Sequence, residues 1–408
     1  MAPHGREHLP PAAAEVERWC GRASEAEEES EEIVAGELSD DVAAFASAAI
    51  GDSDADAHAL AFLALVTELW GAPPPLPEPR APRARTQRAV LTAALARAVH
   101  AHVTARELVC AAWTLALRST SDGERVGVSL RAIVQLHLAA SAQQPRQFWL
   151  VHYPALVRPL RSLAESGCEG AHVRKHVVAA ASLLLAQLAH AWHAPLSAPR
   201  LQPLIDVARL LATRDCSGVV RLQALGVLLE LEAAAGSAEP PLGLLRSRAL
   251  DKSPAVSALA LCALCDALHP ARASASDLAL IIHAGLFGAE TPAKCKRVCR
   301  AFVQRALTDE QRAEPPAELL ARAGMARALM NFKGQGGGFT GCALFEELFD
   351  EQLAGAVFDA MNLVPAAPSM RDALEFEFAP RADGDPRRAE QPGRASPMDS
   401  RSSGSSSL

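Results

Sequence analysis

The 408-residue chain is half hydrophobic, carries a formal net charge of −7 and contains only 4% aromatic residues, one of them tyrosine. Apolar burial must therefore come from alanine and leucine, which favours helices and argues against a sheet-built fold. Residues 1–50 hold twelve acids against three Lys and Arg, so the remainder is near neutral, which argues against broad, sequence-independent nucleic-acid binding.

In chain order, residues 1–39 centre on the acidic run "SEAEEESEEIVAGELSDD", whose like charges predict a solvated, largely disordered segment. Residues 40–71 read as a helical pair, about Asp40–Ile50 and Asp54–Trp70, each opening on aspartates that suit a helix start. The stretch "GAPPPLPEPRAPRAR" follows, and its prolines predict an extended linker over residues 72–85. Residues 86–376 read mainly as consecutive amphipathic helices, broken by "STSDGE", "SAQQP", "ESGCEG", "HAPLSAP", "TRDCSG", "GSAEPP", "LDKSPA", "HPARASAS" and "GAETP". Residues 377–408 form a Ser/Pro/Gly-rich tail predicted to be disordered.

An internal repeat organises the helical part. "DCSGVVRLQALGVLLEL", from Asp215, returns 36 residues later as "DKSPAVSALALCALCDA", from Asp251. Asp215, Ser217, Val220, Ala224, Leu225 and Leu228 fall on Asp251, Ser253, Val256, Ala260, Leu261 and Leu264. A third copy, "HVRKHVVAAASLLLAQL", places Val173 and Arg174 on Val220 and Arg221, whereas the third arginine position is Ser257. Asp or Ser is expected to cap each helix, apolar residues at helical spacing to bury one face, and alanines to let helices approach. These residues resemble the second helix of HEAT and armadillo repeats. The resemblance implies an all-α, HEAT/armadillo-like helical solenoid acting as a non-enzymatic scaffold or adaptor for other proteins.

Candidate chemistry is sparse. Cys262 and Cys265 form CxxC, and Cys295 and Cys299 form CxxxC, a superficial set of four zinc thiolates. They interrupt apolar helical patterns without the polar knuckles of zinc sites, so they read as small hydrophobes, and no metal is expected. His172 and His176 have the spacing of a helical metal pair but lack the glutamate of HExxH. The glycine-rich "NFKGQGGGFTG", residues 331–341, follows a helical pattern instead of a strand, and Lys333 precedes its glycines. It reads as a helix C-cap at Gly334 with a linker through residue 341 instead of a nucleotide cradle; no cofactor and no catalytic residues are predicted. After it, "CALFEELFDEQLAGAVFDAMNLV" carries an apolar stripe opposite acidic residues and reads as a terminal cap.

One helix, "AKCKRVCRAFVQRAL", gathers Lys294, Lys296, Arg297, Arg300 and Arg305 without an acid, a candidate partner-binding patch. It supports the alternative of a chromosome-associated or transport-type HEAT subunit touching an acidic partner or nucleic acid. Nucleic acid is the less favoured partner, and a nucleotide-binding enzyme using residues 334–341 is the remaining alternative. No uncharged apolar run reaches the roughly 18 residues needed to span a bilayer, and no secretory leader or disulfide pattern is evident. The expectation is an intracellular protein, cytoplasmic or nuclear, with no membrane insertion.

Overall fold

The structure is a computed structural model. It describes residues 11–308 apart from 27–29, 52–54, 72–81, 122, 143, 167–168, 192–195, 238–239, 287 and 289. The glycine-rich stretch, the acidic C-terminal segment and the tail lie outside the described residues. The chain divides into two units, Met1–Ala273 with Ile281–Ala313, and Ser274–Leu280 with Glu314–Leu408. Every regular element among the described residues is helical, so the all-α expectation holds there.

Three helices open the first unit: α1 (Pro11–Glu25), α2 (Glu31–Gly51) and α3 (Ala55–Gly71). The acidic run expected to be disordered over residues 1–39 is largely helical from Pro11 onward. Glutamate is a good helix former, and the acids are interleaved with Ala35, Leu38 and Val42, all buried. Arg22 of α1 pairs with Glu37 and Asp41 of α2, which offsets part of the like-charge repulsion. Trp19 and Phe45 close the α1–α2 contact edge to face, with centroids 5.1 Å apart.

Next come α4 (Pro82–Ala101), α5 (Val103–Arg118) and α6 (Gly123–Ala140). The helix begins inside the expected linker because Pro82 can occupy a first turn, where its missing N–H leaves no bond unmade. The very short α7 (Pro145–Gln147) leads through a π-helical turn, Phe148–His152, into α8 (Tyr153–Glu165). Pro154 removes the N–H that would reach Leu150, and the Tyr153 N–H bonds Phe148 instead, one residue further back. Pro159 likewise leaves the Ala155 carbonyl without its helical donor, and the Cys110 thiol donates to that oxygen at 3.6 Å.

The remaining helices of this unit are α9 (Ala171–Ala191), α10 (Ala198–Arg214), α11 (Gly218–Ala234), α12 (Leu242–Ala249), α13 (Pro254–Ala267) and, after the short α14 described below, α15 (Ala293–Thr308). Helices α6, α9, α11, α13 and α15 lie side by side in that order, while α5, α8 and α10 follow one another in a second row. Each of α5, α8, α10 and α12 also packs against the helix that follows it in the first row, α6, α9, α11 and α13. The core runs between the rows and is built mainly from Ala, Val and Leu. The second unit contributes only Ser274–Leu280 to the described residues. There α14 (Ala275–Leu280) opens on a reciprocal cap, the Ser274 hydroxyl donating to Asp277 at 2.7 Å and the Asp277 N–H to Ser274 at 3.1 Å.

Candidate functional site

The repeat read from the sequence becomes a geometric repeat at the start of α11 and α13. Ser217 and Ser253 occupy the same position before their helices, with φ −83°, ψ 120° and φ −86°, ψ 116°. Neither serine side chain caps its helix, contrary to expectation. The aspartate two residues earlier orders the entry: Asp215 Oδ1 accepts the Ser217 N–H at 2.7 Å, and Asp251 Oδ1 accepts the Ser253 N–H at 2.9 Å. Val220, Ala224, Leu225 and Leu228 are buried in α11, as are Val256, Ala260, Leu261 and Leu264 in α13.

Each aspartate also receives an arginine from the preceding repeat helix. Arg174 on α9 donates to Asp215 through Nε at 2.5 Å and Nη2 at 3.3 Å. Arg221 on α11 donates to Asp251 through Nε at 2.8 Å and Nη2 at 2.6 Å. Both are forked pairs, and the carboxylates are almost wholly enclosed. Each arginine spends its remaining Nη1 donor at the entry to its own helix, Arg174 on the Glu169 carbonyl and Arg221 on the Asp215 carbonyl. One guanidinium thus locks its own helix start and grips the next. Burial alone would push the Asp251 carboxyl up, but Arg221, the Ser253 N–H and Arg248 hold it below the usual carboxylate range. The series stops at Ser257, whose hydroxyl reaches only the Ala249 carbonyl at 2.6 Å.

A groove of about 470 Å3 runs over α9 and α11 beside the start of α6. Small residues, Gly123, Ala179 and Gly226, leave its surface open, with Lys175 and Glu230 exposed along it. His176, one of the helical histidine pair, borders the groove and holds the Leu117 carbonyl through Nδ1 at 3.0 Å. Its ring sits 6.3 Å from that of His172, edge to face.

All four paired cysteines are buried or half-buried on α13 and α15. Cys295 and Cys299 sulfurs are 3.9 Å apart, and Cys295 donates to the Ala258 carbonyl of α13 at 3.6 Å. Burial pushes Cys262 up to about 12 and Cys295 to about 11; contact with Cys265, then burial, raises Cys299 further. Such thiols stay protonated and act as packing groups. No group of three or more His, Cys, Asp or Glu among the described residues is arranged to hold a metal ion.

On α15, Lys294, Arg297 and Arg305 are exposed, while Lys296 and Arg300 are half-buried. The patch is therefore a stripe, not a ring of cations.

A buried histidine pair has no signature in the sequence. His137 of α6 and His152 of the π turn are fully enclosed, with their Nδ1 atoms 3.0 Å apart. The residues are fifteen apart in the chain and carry no motif; only the prolines around the π turn hinted at an irregular helix start. No family model, no curated protein and no solved structure matches the chain.

Proposed function

We propose that the chain is a HEAT/armadillo-like helical solenoid that works as a non-enzymatic scaffold for protein partners. The observation carrying this reading is the recurrence of one arginine–aspartate rung, with the same helix-entry geometry, at Arg174–Asp215 and Arg221–Asp251. Repeated rungs of this kind tie each repeat helix to the entry of the next, and stacked helix pairs present an extended surface suited to binding. The groove over α9 and α11 is the part of that surface with exposed small and polar residues.

The test alters the groove without touching the rungs. Lys175→Glu with Gln223→Glu replaces exposed side chains, so helicity and melting temperature should stay within about 2 °C of wild type. Quantitative affinity capture from cells should then lose a discrete subset of proteins. A screen with ATP, GTP, Mg2+ and Zn2+ should leave the melting temperature unchanged, because only ligands that favour the folded state raise it. An unchanged partner set, or a nucleotide-dependent shift, would refute the scaffold reading.

A second reading rests on the exposed stripe Lys294, Arg297 and Arg305. An acidic partner or a nucleic-acid backbone would bind there with an affinity that falls with salt. Three phosphate contacts predict a slope of log K against log salt of about −3 for duplex DNA. Charge reversal at Lys294 and Arg297 should remove most of that slope.

A further inference from the structure

We propose that the His137–His152 contact is an acid-released latch: closed, it ties the π turn Phe148–His152 to α6, and acid favours the open form, in which the separated rings take up protons. This goes beyond the scaffold reading and does not depend on it.

The geometry permits one proton between the rings. With Nδ1 atoms 3.0 Å apart, one ring must donate and the other accept, so the contact exists only while at least one ring is neutral. Two imidazolium rings would both present donors and repel. The two Nε2 atoms are buried without a hydrogen-bond partner, so a ring that gains a proton has nowhere to share it. The Tyr153 hydroxyl and the Gln147 side-chain oxygen, at the two ends of the same turn, are buried and unpartnered as well. This is the densest group of unsatisfied polar atoms among the described residues, and it lies on the one turn of the α7–α8 segment that is wound as a π-helix.

The neighbouring basic side chains act in the same direction. Arg106 of α5 bears on both rings, and His100 of α4 bears on His152. Arg106 is fixed there by the Val99 and His100 carbonyls at 3.0 and 2.8 Å, and His100 by the Ala140 carbonyl at 2.9 Å. Tyr153 of α8 is held neutral by burial and supplies no compensating charge. Burial first, then His152 and Arg106, lower His137 to about 3, and burial first, then Arg106 and His100, lower His152 to about 4.

Rings freed by opening regain the ordinary value near 6.5 and take up protons that the closed pair refuses. The latch is therefore fully closed above that value and weakens as pH falls from about 6.5 towards 4. From pH 7 to pH 5 the open population should rise about 20-fold if one ring is freed and several hundred-fold if both are. Opening would uncover Phe148, now fully buried, next to Leu150, already 67% exposed, and so create an apolar patch.

Hydrogen exchange of the full chain, corrected for intrinsic rates, tests this at pH 7 and pH 5. Peptides spanning residues 133–156 should show the 20-fold to several hundred-fold rise, while peptides from α11 should change less than about threefold. The double variant His137→Leu, His152→Phe should abolish the local acid response. Should that variant fail to fold, side-chain NMR of wild type remains decisive, with both rings neutral at pH 5.5 in the closed protein. A flat or uniform acid response, an acid response retained in a folded double variant, or a folded-state ring titrating near 6.5 would each overturn the latch.

Discussion

Arg221 and Asp251 put a number on what a rung contributes. The Asp251 side chain is 2% exposed and receives Arg221, Arg248 and the Ser253 N–H. Asp251→Ala leaves two arginines without their carboxylate and should cost about 3–5 kcal/mol in urea unfolding at pH 7. Asp251→Asn keeps an acceptor for the Ser253 N–H and should cost less. The exposed Arg161–Glu165 pair is the control, and Glu165→Ala should move stability by no more than about 0.5 kcal/mol. Because the Asp251 carboxyl is held below its ordinary value, its stabilising share is complete above about pH 4 and disappears as pH falls through the lowered folded value. The wild type should therefore lose stability there more steeply than Asp251→Asn. Arginines at positions 174 and 221 were legible as marks of the repeat, but their partners, 41 and 30 residues away, were not. Pairing across repeats depends on how far one helix pair is displaced from the next, which a spacing pattern does not encode.

Helix α15 meets α13 and the π-helical turn Ile281–Leu286 through sulfur and small residues, and its contact with that turn has little slack. A Cβ on Gly285 would lie 2.5 Å from the Cys299 sulfur and 3.0 Å from its Cβ. Gly285→Ala should therefore destabilise by about 1–3 kcal/mol, as overpacked cores do. Adding Cys299→Ala should recover part of that loss, a coupling readable from a double-mutant cycle. Gly226, on the groove side of α11, has no atom within 4 Å of a built Cβ. There Gly226→Ala should stabilise by about 0.5–1 kcal/mol through helix propensity alone. Helix positions were largely visible in the sequence: the breaks at "STSDGE", "TRDCSG" and "LDKSPA" fall between observed helices. The acidic run hides its helix because its charge density masks the buried Ala35 and Leu38, which continue into Val42. The histidine pair was illegible, since His137 and His152 meet only after the π turn rotates the start of α8.

Within the first unit, the helices from α5 to α13 and α15 pack chiefly on their neighbours in two rows. Among the described residues no helix is long and apolar enough to cross a membrane, which agrees with the absence of an apolar run of that length in the sequence. On the proposed reading, damage should spread along the array and not across a single globular core. Truncation after Leu268 should leave α5–α11 with most of their native hydrogen-exchange protection, whereas Arg174→Ala should lower protection on both sides of the break. Equal loss throughout the chain in either case would contradict a neighbour-by-neighbour array.

The end of the rungs at Ser257 has a mechanical meaning. Between α9 and α11, and again between α11 and α13, a pulling force would have to shear a two-pronged ionic clasp. At Ser257 that clasp is replaced by a single hydroxyl turned back on Ala249, and the grip on α15 passes to thiols and methyl groups. Such contacts are short-ranged but slide easily, so they resist compression better than tension. Under load, the joint between α13 and α15 should yield before the two joints that carry an ionic clasp.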